Sequence, residues 1–297
     1  MTNWYKPNFF IIGAPKCGTT SLASYLGGHP NIYMSNPKEP YYFNSDMNFQ
    51  GMKTIKEYAT CFAGAGENHL AIGEASTSYL YSKAALPAIL KFNPAAKFVV
   101  VVRNPVDLLY SFHSELLWNG TENIKSFRDA WQLQEARLAG RHIPPLCRDP
   151  FWLQYKEVGL LGKYLKRVYQ MVATERVHVV VMDDMKLNVQ KVYEDLLSFL
   201  DVPLITRDEF PVHNQSKTVR HQIIRDWIHI AASIKRRTGI NLNMGLLSGL
   251  LEINTKIKER APLPANFREE LNTEFRQDIE KLSSLLGRDL TYWSHIK

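Results

Sequence analysis

The chain contains 297 residues, 45% of them apolar, so it is long enough to bury a large core. Its 36 Lys and Arg against 29 Asp and Glu give a net charge of +7, which favours anionic ligands, but the basic residues form no dense tract of the kind that binds nucleic acid. Cys17, Cys61 and Cys147 lie far apart and lack the short spacings of a metal site or a disulfide framework. We expect one domain over residues 1–297, in a reducing compartment and without a metal.

The apolar runs are too short to cross a membrane. The N-terminal run is followed by no small-residue cleavage site, and the later runs, VVVV at 99–102 and VHVVVM at 177–182, have the length of strands. We therefore expect a cytoplasmic protein with no transmembrane segment.

The first element is a short, buried strand. Phe9 to Ile12 are aromatic or β-branched, and the turn at 13–15 contains Gly and Pro. The hydroxyl residues at 19–21 offer N-caps to a helix that the glycines at 27 and 28 end. This stretch predicts a strand, a loop and a helix.

Two further runs repeat this pattern. Lys97 to Arg103 is apolar on both faces, as expected of a central parallel strand, and Pro105 suits the first turn of a helix. Val177 to Met182 predicts another strand, which ends in Asp183 and precedes a helix from Leu187 to Leu200.

Four other segments carry apolar residues at helical spacing, namely 126–140, 151–172, 221–237 and 265–286. Strands that alternate with helices predict an α/β fold in three layers, with a P-loop-like parallel sheet flanked by helices. The ligand crevice of such a sheet lies at the carboxyl ends of its strands.

The loop GAPKCGTTS departs from the nucleotide-binding pattern G-x-x-x-x-G-K-[ST] in one respect. Gly13 and Gly18 keep the spacing, but Thr19 occupies the lysine position and Lys16 lies inside the loop. The backbone N–H groups of Cys17 to Thr20, at a helix N-terminus, would still bind an anion. The loop therefore suits a single 5′ phosphate with a reactive group attached better than a triphosphate.

A kinase interpretation is weakened and stays open. Phosphoryl transfer would need an acidic residue at a neighbouring strand end to hold magnesium. The strand that ends at Val102 is followed by Arg103, whereas the strand that ends at Met182 is followed by Asp183.

The segment PKCGTTSL resembles the 5′-phosphosulfate loop of sulfotransferases that use 3′-phosphoadenosine 5′-phosphosulfate (PAPS), in which the displaced lysine is a family feature. The resemblance implies that the phosphosulfate is bound by Lys16, Cys17, Gly18, Thr19, Thr20 and Ser21.

A second motif of that family reads VVVVRNPVDLLYS here, with Arg103 at the strand end and Ser111 on the next helix. An arginine and a serine so placed can converge on one phosphate, which the resemblance identifies as the 3′ phosphate of PAPS. The weaker match PVHNQSK contains His213, with Lys217 and Arg220 after it, in the region where the family covers the adenine and the 3′ phosphate.

The segment NPKEPYYF resembles the stretch that carries the catalytic base of glycan sulfotransferases, which implies that Glu39 deprotonates the acceptor. The aromatic residues at 41–43 would desolvate its carboxylate and raise its basicity. Lys16 is placed to meet the negative charge of the departing phosphate.

Other candidates for the base remain. The segment GEASTSYLYS resembles the stretch where glycan enzymes carry a glutamate and then a lysine, but this chain has Glu74 followed by Ala75. Glu74 is therefore a second candidate, and no assisting lysine is present there. His113 is expected to pack on its helix rather than to take a proton.

The acceptor is expected to be a carbohydrate or another small molecule, and the region 113–165 is expected to contact it. Its aromatic residues could stack on an acceptor or belong to the core; they are Trp118, Trp131, Trp152 and Tyr155. Two alternatives remain to a PAPS-dependent sulfotransferase: a nucleotide kinase and a non-catalytic protein that binds PAPS or adenosine 3′,5′-bisphosphate (PAP).

Overall fold

A five-stranded parallel sheet forms the centre of the computed structural model, which describes residues 4–48, 51–211, 217–219, 255–257 and 260–295. The strands lie in the order β2-β3-β1-β4-β5, with bounds β1 (Phe9–Gly13), β2 (Ile32–Met34), β3 (Ala71–Ala75), β4 (Lys97–Val102) and β5 (Val177–Val181). Helices flank the sheet, and the predicted three-layer α/β fold is confirmed.

The sequence predicted β1, β4 and β5 but not β2 or β3. β2 has only three residues, and β3 has the sequence AIGEA, in which a glycine and a glutamate interrupt the apolar run that would indicate a buried strand. The Phe9 ring lies against Gly73, where a Cβ atom would stand 2.2 Å from its Cζ atom. Close packing in the sheet therefore requires this glycine.

Helix α1 (Thr19–Gly27) begins as predicted but is capped differently. Gly18, in the left-handed conformation with φ 87°, occupies the N-cap, so the expectation that a hydroxyl residue caps this helix is wrong. Lys16 also has a positive φ of 60°. The loop thus turns through two left-handed residues, which places Thr19 to Ser21 inside the first helical turn.

Helix α4 (Pro105–Asn119) begins directly after the strand that ends before Arg103. Pro105 is its first residue, as predicted, and the side chain of Asn104 accepts a hydrogen bond from the N–H of Val106 at 2.9 Å. The helix ends at Asn119, and Gly120, which follows it, has φ 83°.

Two segments predicted as single helices are divided. Residues 126–140 form α5 (Phe127–Gln132) and α6 (Gln134–Leu138), and residues 151–172 form a 3₁₀ turn (Pro150–Leu153), α7 (Tyr155–Gly159) and α8 (Leu161–Met171). The break before α8 has a physical reason, because the buried carboxylate of Asp278 accepts hydrogen bonds from the N–H groups of Gly162 and Lys163 at 2.7 and 2.9 Å.

Helix α11 (Ala265–Leu286) matches the prediction for 265–286. The remaining helices are α2 (Ile55–Thr60), α3 (Ala85–Phe92), α9 (Met182–Leu187) and α10 (Val189–Phe199), with 3₁₀ turns at Thr77–Leu80, Thr174–Arg176 and Thr291–Ser294. The strands β6 (Lys217–Val219) and β7 (Thr255–Ile257) form an antiparallel pair. The helix predicted at 221–237 lies outside the described residues.

Within the described ranges, no helix has both the length and the apolar composition needed to cross a bilayer. A single domain over 1–297 stays a prediction.

Candidate functional site

A cavity of about 980 Å³ opens at the carboxyl ends of the strands, and we refer to it as the cleft. The segments that follow all five strands reach it, since its lining includes Lys16 after β1, Glu39 after β2, Thr77 after β3, Arg103 after β4 and Met182 after β5. This is the position expected for the ligand site of a parallel α/β sheet, and the volume is sufficient for a nucleotide together with a small acceptor.

The displaced-lysine loop forms one wall of the cleft, with contributions from Lys16, Gly18, Thr19, Thr20 and Ser21. Cys17 differs, because its side chain is fully buried, and burial raises the pKa of its thiol to about 12. The thiol is therefore neutral and inward, which leaves the backbone N–H as the part of Cys17 that a ligand can use.

Arg103 and Ser111 both line this cleft, and their convergence on one phosphate stays a prediction. One guanidinium nitrogen of Arg103, Nη1, donates to the carbonyl oxygen of Lys16 at 3.0 Å and ties the strand end to the loop. Its Nε is buried and has no hydrogen-bond partner among the described residues. A buried donor without a partner is costly, and a phosphate oxygen would satisfy it.

Arg260, which precedes α11, is a cleft residue that the sequence did not reveal. Its guanidinium lies over the ring of Tyr110, 5.6 Å from the centroid, and the hydroxyl of Tyr110 donates to the carbonyl of Ala261 at 2.7 Å. Burial and then the positive charge of Arg103 lower the pKa of Arg260. Two guanidinium groups that repel each other in one cavity favour a bound anion.

Glu115 is a second cleft residue that the sequence did not reveal. Its carboxylate pairs with the ammonium of Lys16 at 2.5 Å, and it lies on α4 one turn beyond Ser111. The pair joins the displaced-lysine loop to the helix that follows Arg103.

Glu39 also lines the cleft, in a loop where Glu39 and Tyr41 both have positive φ, 60° and 50°. Its carboxylate accepts hydrogen bonds from Lys38 at 2.7 Å, from the Tyr41 hydroxyl and from Thr77 at 3.5 Å. Three groups therefore fix its orientation, while 28% of its side chain stays exposed.

The aromatic wall expected around Glu39 is smaller than predicted. Tyr41 touches the carboxylate, but the ring of Tyr42 stacks on Tyr58 with centroids 4.6 Å apart, and Phe43 packs edge-on against the same ring. Tyr42 and Phe43 therefore pack against the core and do not surround the Glu39 carboxylate.

Glu74, the second carboxylate candidate, is fully buried in β3. It accepts hydrogen bonds from the hydroxyls of Tyr58, Ser76 and Tyr79 at 2.7, 2.9 and 3.2 Å, and burial raises its pKa from 4.5 to about 7. Ser76 and Tyr79 in turn accept N–H bonds from the backbone at 41–43. Glu74 therefore supports the loop of Glu39, whereas Glu39 itself borders the cleft.

Asp183, on which the kinase alternative depends, lies inside α9 rather than at a strand end. Its carboxylate accepts hydrogen bonds from the indole of Trp293 at 2.7 Å and from the hydroxyl of Tyr292 at 3.0 Å. These bonds to the C-terminal turn give Asp183 a structural role.

His113 is buried, and one of its ring nitrogens lies 2.9 Å from the carbonyl oxygen of Ile124, in the segment that follows α4. That it takes no proton from an acceptor stays a prediction. The backbone of Lys217 lies in β6, next to α4. His213 and Arg220 lie outside the described residues.

Comparison with known proteins identifies the relatives of this chain. The structure is similar to that of a sulfotransferase from Alicyclobacillus acidocaldarius, with a TM-score of 0.72 and 27% sequence identity over 98% of this chain and 100% of that one.

Among curated proteins, carbohydrate sulfotransferase 15 of Mus musculus is 26% identical over 260 residues, which cover 68% of this chain and 45% of the relative. The membrane-associated sulfotransferase kil1 of Dictyostelium discoideum is 36% identical over 115 residues, 38% of this chain and 24% of the relative. The chain thus spans less than half the length of these curated relatives.

Residues 6–230 match the family described as "Sulfotransferase domain", most of the chain. The family predicted from the loop and from the motif at Arg103 is confirmed: this chain belongs to the sulfotransferase domain family.

Proposed function

We propose that this protein transfers a sulfuryl group from PAPS to a hydroxyl group of a carbohydrate or another small-molecule acceptor, with an amine as the alternative acceptor group. The observation that carries the proposal is the meeting, in one cleft, of the displaced-lysine loop, the pair Arg103 and Ser111, and the carboxylate of Glu39. The similarity to a carbohydrate sulfotransferase supports the acceptor class.

The residues present fit a nucleotide with phosphates at both ends of its ribose. Lys16 and the N–H groups of Cys17 to Thr20 would bind the 5′ phosphosulfate, because helix N-termini attract anions. Arg103, Ser111 and Arg260 would bind the 3′ phosphate, which gives the buried Nε of Arg103 a partner. Lys217 and Arg220 remain proposed contacts on the adenine side.

When bound, PAPS supplies a sulfuryl group whose sulfur bonds to the acceptor oxygen as its bond to the phosphate oxygen breaks. Glu39 takes the proton of the acceptor hydroxyl and passes it to solvent. Lys38, Tyr41 and Thr77 hold that carboxylate in place. Lys16 neutralises the charge that develops on the departing phosphate. The products are a sulfate ester, PAP and one proton.

Calorimetric titration with PAP, and in parallel with ATP and magnesium, tests the donor assignment. We expect micromolar PAP binding without metal and little ATP binding. The reverse result would support the kinase alternative.

Glu39→Gln separates an enzyme from a binding protein. The variant should bind PAP like the wild type and lose about 10²- to 10⁴-fold in turnover, because a general base is missing. Activity equal to that of the wild type would remove Glu39 as the base, and the absence of turnover in both proteins across acceptors would favour the binding protein.

A further inference from the structure

The segment that follows α11 binds two elements of the cleft, although its own residues lie outside the described lining. Three of its side chains, those of Arg288, Tyr292 and Trp293, form what we call the clamp. We propose that the clamp holds α9 and the turn after Arg103 in the positions that donor binding requires. Its members are positioning residues, because they act on the donor only through these two elements. This inference rests on the proposed function, since it concerns the donor side of the same cleft.

Helix α9 lines the cleft but has little packing of its own. All six of its residues are described and none of them is buried, and Leu187 at its end is 83% exposed. Isolated helices of this length are unstable in water, so contacts from other segments have to keep α9 in place. Its position affects the donor site, because Met185 lines the cleft beside the displaced-lysine loop. A Cβ atom on Gly18 would stand 3.5 Å from the Sδ and Cε atoms of Met185.

The clamp supplies such contacts through the two acidic residues at the start of α9. The carboxylate of Asp183 accepts hydrogen bonds from the indole N–H of Trp293 at 2.7 Å and from the hydroxyl of Tyr292 at 3.0 Å. The guanidinium of Arg288 pairs with Asp184, with Nη2 2.7 Å from the carboxylate. Hydrogen bonds to a carboxylate are about twice as strong as those between neutral groups. Because Trp293 is only 4% exposed, the clamp is itself anchored in the fold.

The same tryptophan reaches the Arg103 side of the cleft. The backbone carbonyl oxygen of Trp293 accepts a hydrogen bond from the side-chain amide of Asn104 at 2.9 Å. The side-chain oxygen of Asn104 caps α4, the helix that carries Ser111. Trp293 therefore joins α9, which follows β5, to the turn between β4 and α4, and these two strands are neighbours in the sheet.

Asp183→Ala tests the clamp, because charge and position predict opposite results. The variant removes a negative charge near a cleft whose described lining has more cations than carboxylates, and it frees Lys186, which contacts Asp183 at 3.4 Å. Charge alone would therefore strengthen PAP binding. Loss of the clamp should instead weaken it about 10-fold, the result expected when α9 occupies its binding position about one-tenth of the time. Asp195→Ala, which removes the exposed partner of Lys191, is the matched control and should leave PAP affinity unchanged.

Two further variants act on the other side of the same contact. Trp293→Phe keeps an aromatic ring and removes the indole N–H, and it should weaken PAP binding about 3- to 10-fold. Tyr292→Phe removes only a hydroxyl at a position that is 39% exposed, so it disturbs folding least, and it should weaken binding about 2-fold. The double variant Asp183→Ala with Trp293→Phe should bind PAP no more weakly than Asp183→Ala alone, because both changes break one bond.

Calorimetric titration with PAP measures these affinities, and urea unfolding of each variant shows that it is folded at the temperature of the titration. A purely structural clamp would lower the free energy of unfolding and leave the PAP affinity of the folded variants unchanged, and that result overturns the inference. Tighter binding by Asp183→Ala, or additive losses in the double variant, would overturn it as well. PAP binding by the wild type would stand in each case, so the proposed function would not fail with the clamp.

Discussion

The ammonium of Lys16 lies 2.5 Å from the carboxylate of Glu115. Lys16 belongs to the loop after β1, and Glu115 belongs to α4, which follows β4. The carboxylate therefore engages the cation that we propose binds the donor phosphosulfate, so a donor bound there would have to compete with Glu115 for it.

Glu115→Gln should strengthen PAP binding about 3- to 10-fold, because it removes the negative competitor and leaves the shape of the side chain. The pair is partly exposed, with 20% and 41% of the side chains accessible, so its free energy is about 1 kcal/mol. Calorimetry at low salt measures the change. Asp195→Asn, which removes the exposed partner of Lys191 on α10, is the control and should leave PAP affinity unchanged. Weaker binding by Glu115→Gln would show that the carboxylate helps the donor site.

Lys16→Ala should lower kcat about 10²- to 10³-fold and change PAP affinity by less than 10-fold, because the lysine meets charge that grows in the transition state. Steady-state kinetics with varied PAPS measures the split. Lys186→Ala, which removes another cleft lysine, one that contacts Asp183 at 3.4 Å, should leave kcat within about 2-fold. A rise in KM with kcat unchanged would contradict the role given to Lys16.

Arg260→Ala should weaken PAP binding about 10- to 100-fold and leave the binding of adenosine 5′-monophosphate unchanged, since a charged hydrogen bond to the 3′ phosphate is worth about 1.5–3 kcal/mol. Calorimetry with the two nucleotides gives the ratio. Arg276→Ala, on the exposed face of α11, is the control. Equal losses for both nucleotides would assign Arg260 to another part of the site.

Local spacing made part of this site predictable. Arg103 and Ser111 are close in sequence, and a strand followed directly by a helix brings them to one cleft whatever the rest of the chain does. Arg260 reaches Arg103 through long-range packing, in which Tyr110 binds the carbonyl of Ala261. Glu115 meets Lys16 for the same reason. No periodicity or motif along the chain encodes contacts of this kind.

The strands were predictable where they are purely apolar and not where a charge is buried. The sequence predicted β4 because Phe98 to Val102 are all apolar, and these residues are fully buried in the structure. β3 was not predicted, because a glutamate such as Glu74 is typical of a surface position. Its buried carboxylate accepts hydrogen bonds from the hydroxyls of Tyr58 and Tyr79, which come close to it only in the folded protein.

Glu122→Gln should destabilise the protein by about 3–5 kcal/mol, because it leaves the guanidinium of Arg137 buried without its counter-charge. Both side chains are fully buried, with Nη1 of Arg137 2.6 Å from the carboxylate. Urea unfolding measures the loss. Lys191→Ala removes an exposed pair and should change stability by less than about 1 kcal/mol. Similar losses in both variants would mean that the buried pair contributes no more than a surface one.

Glu74 should make the protein less stable as the pH rises from about 4.5 to 7. Burial raises its pKa from 4.5 to about 7, so in this window the folded state holds a proton that the unfolded state has released. Unfolding then releases a proton, and a higher pH favours it. The effect is complete above the folded pKa, absent below 4.5 and on the order of 3 kcal/mol.

Glu74→Gln keeps an acceptor for the hydroxyl groups and removes this titration. Its free energy of unfolding, measured in urea at several pH values, should therefore fall less between pH 4.5 and 7 than that of the wild type. Glu280→Gln, at an exposed position of α11, should follow the wild-type curve. Parallel curves for Glu74→Gln and the wild type would mean that Glu74 is ionised in the folded protein throughout this range. The loop of Glu39 would then be held by a buried carboxylate anion instead of by a neutral acid.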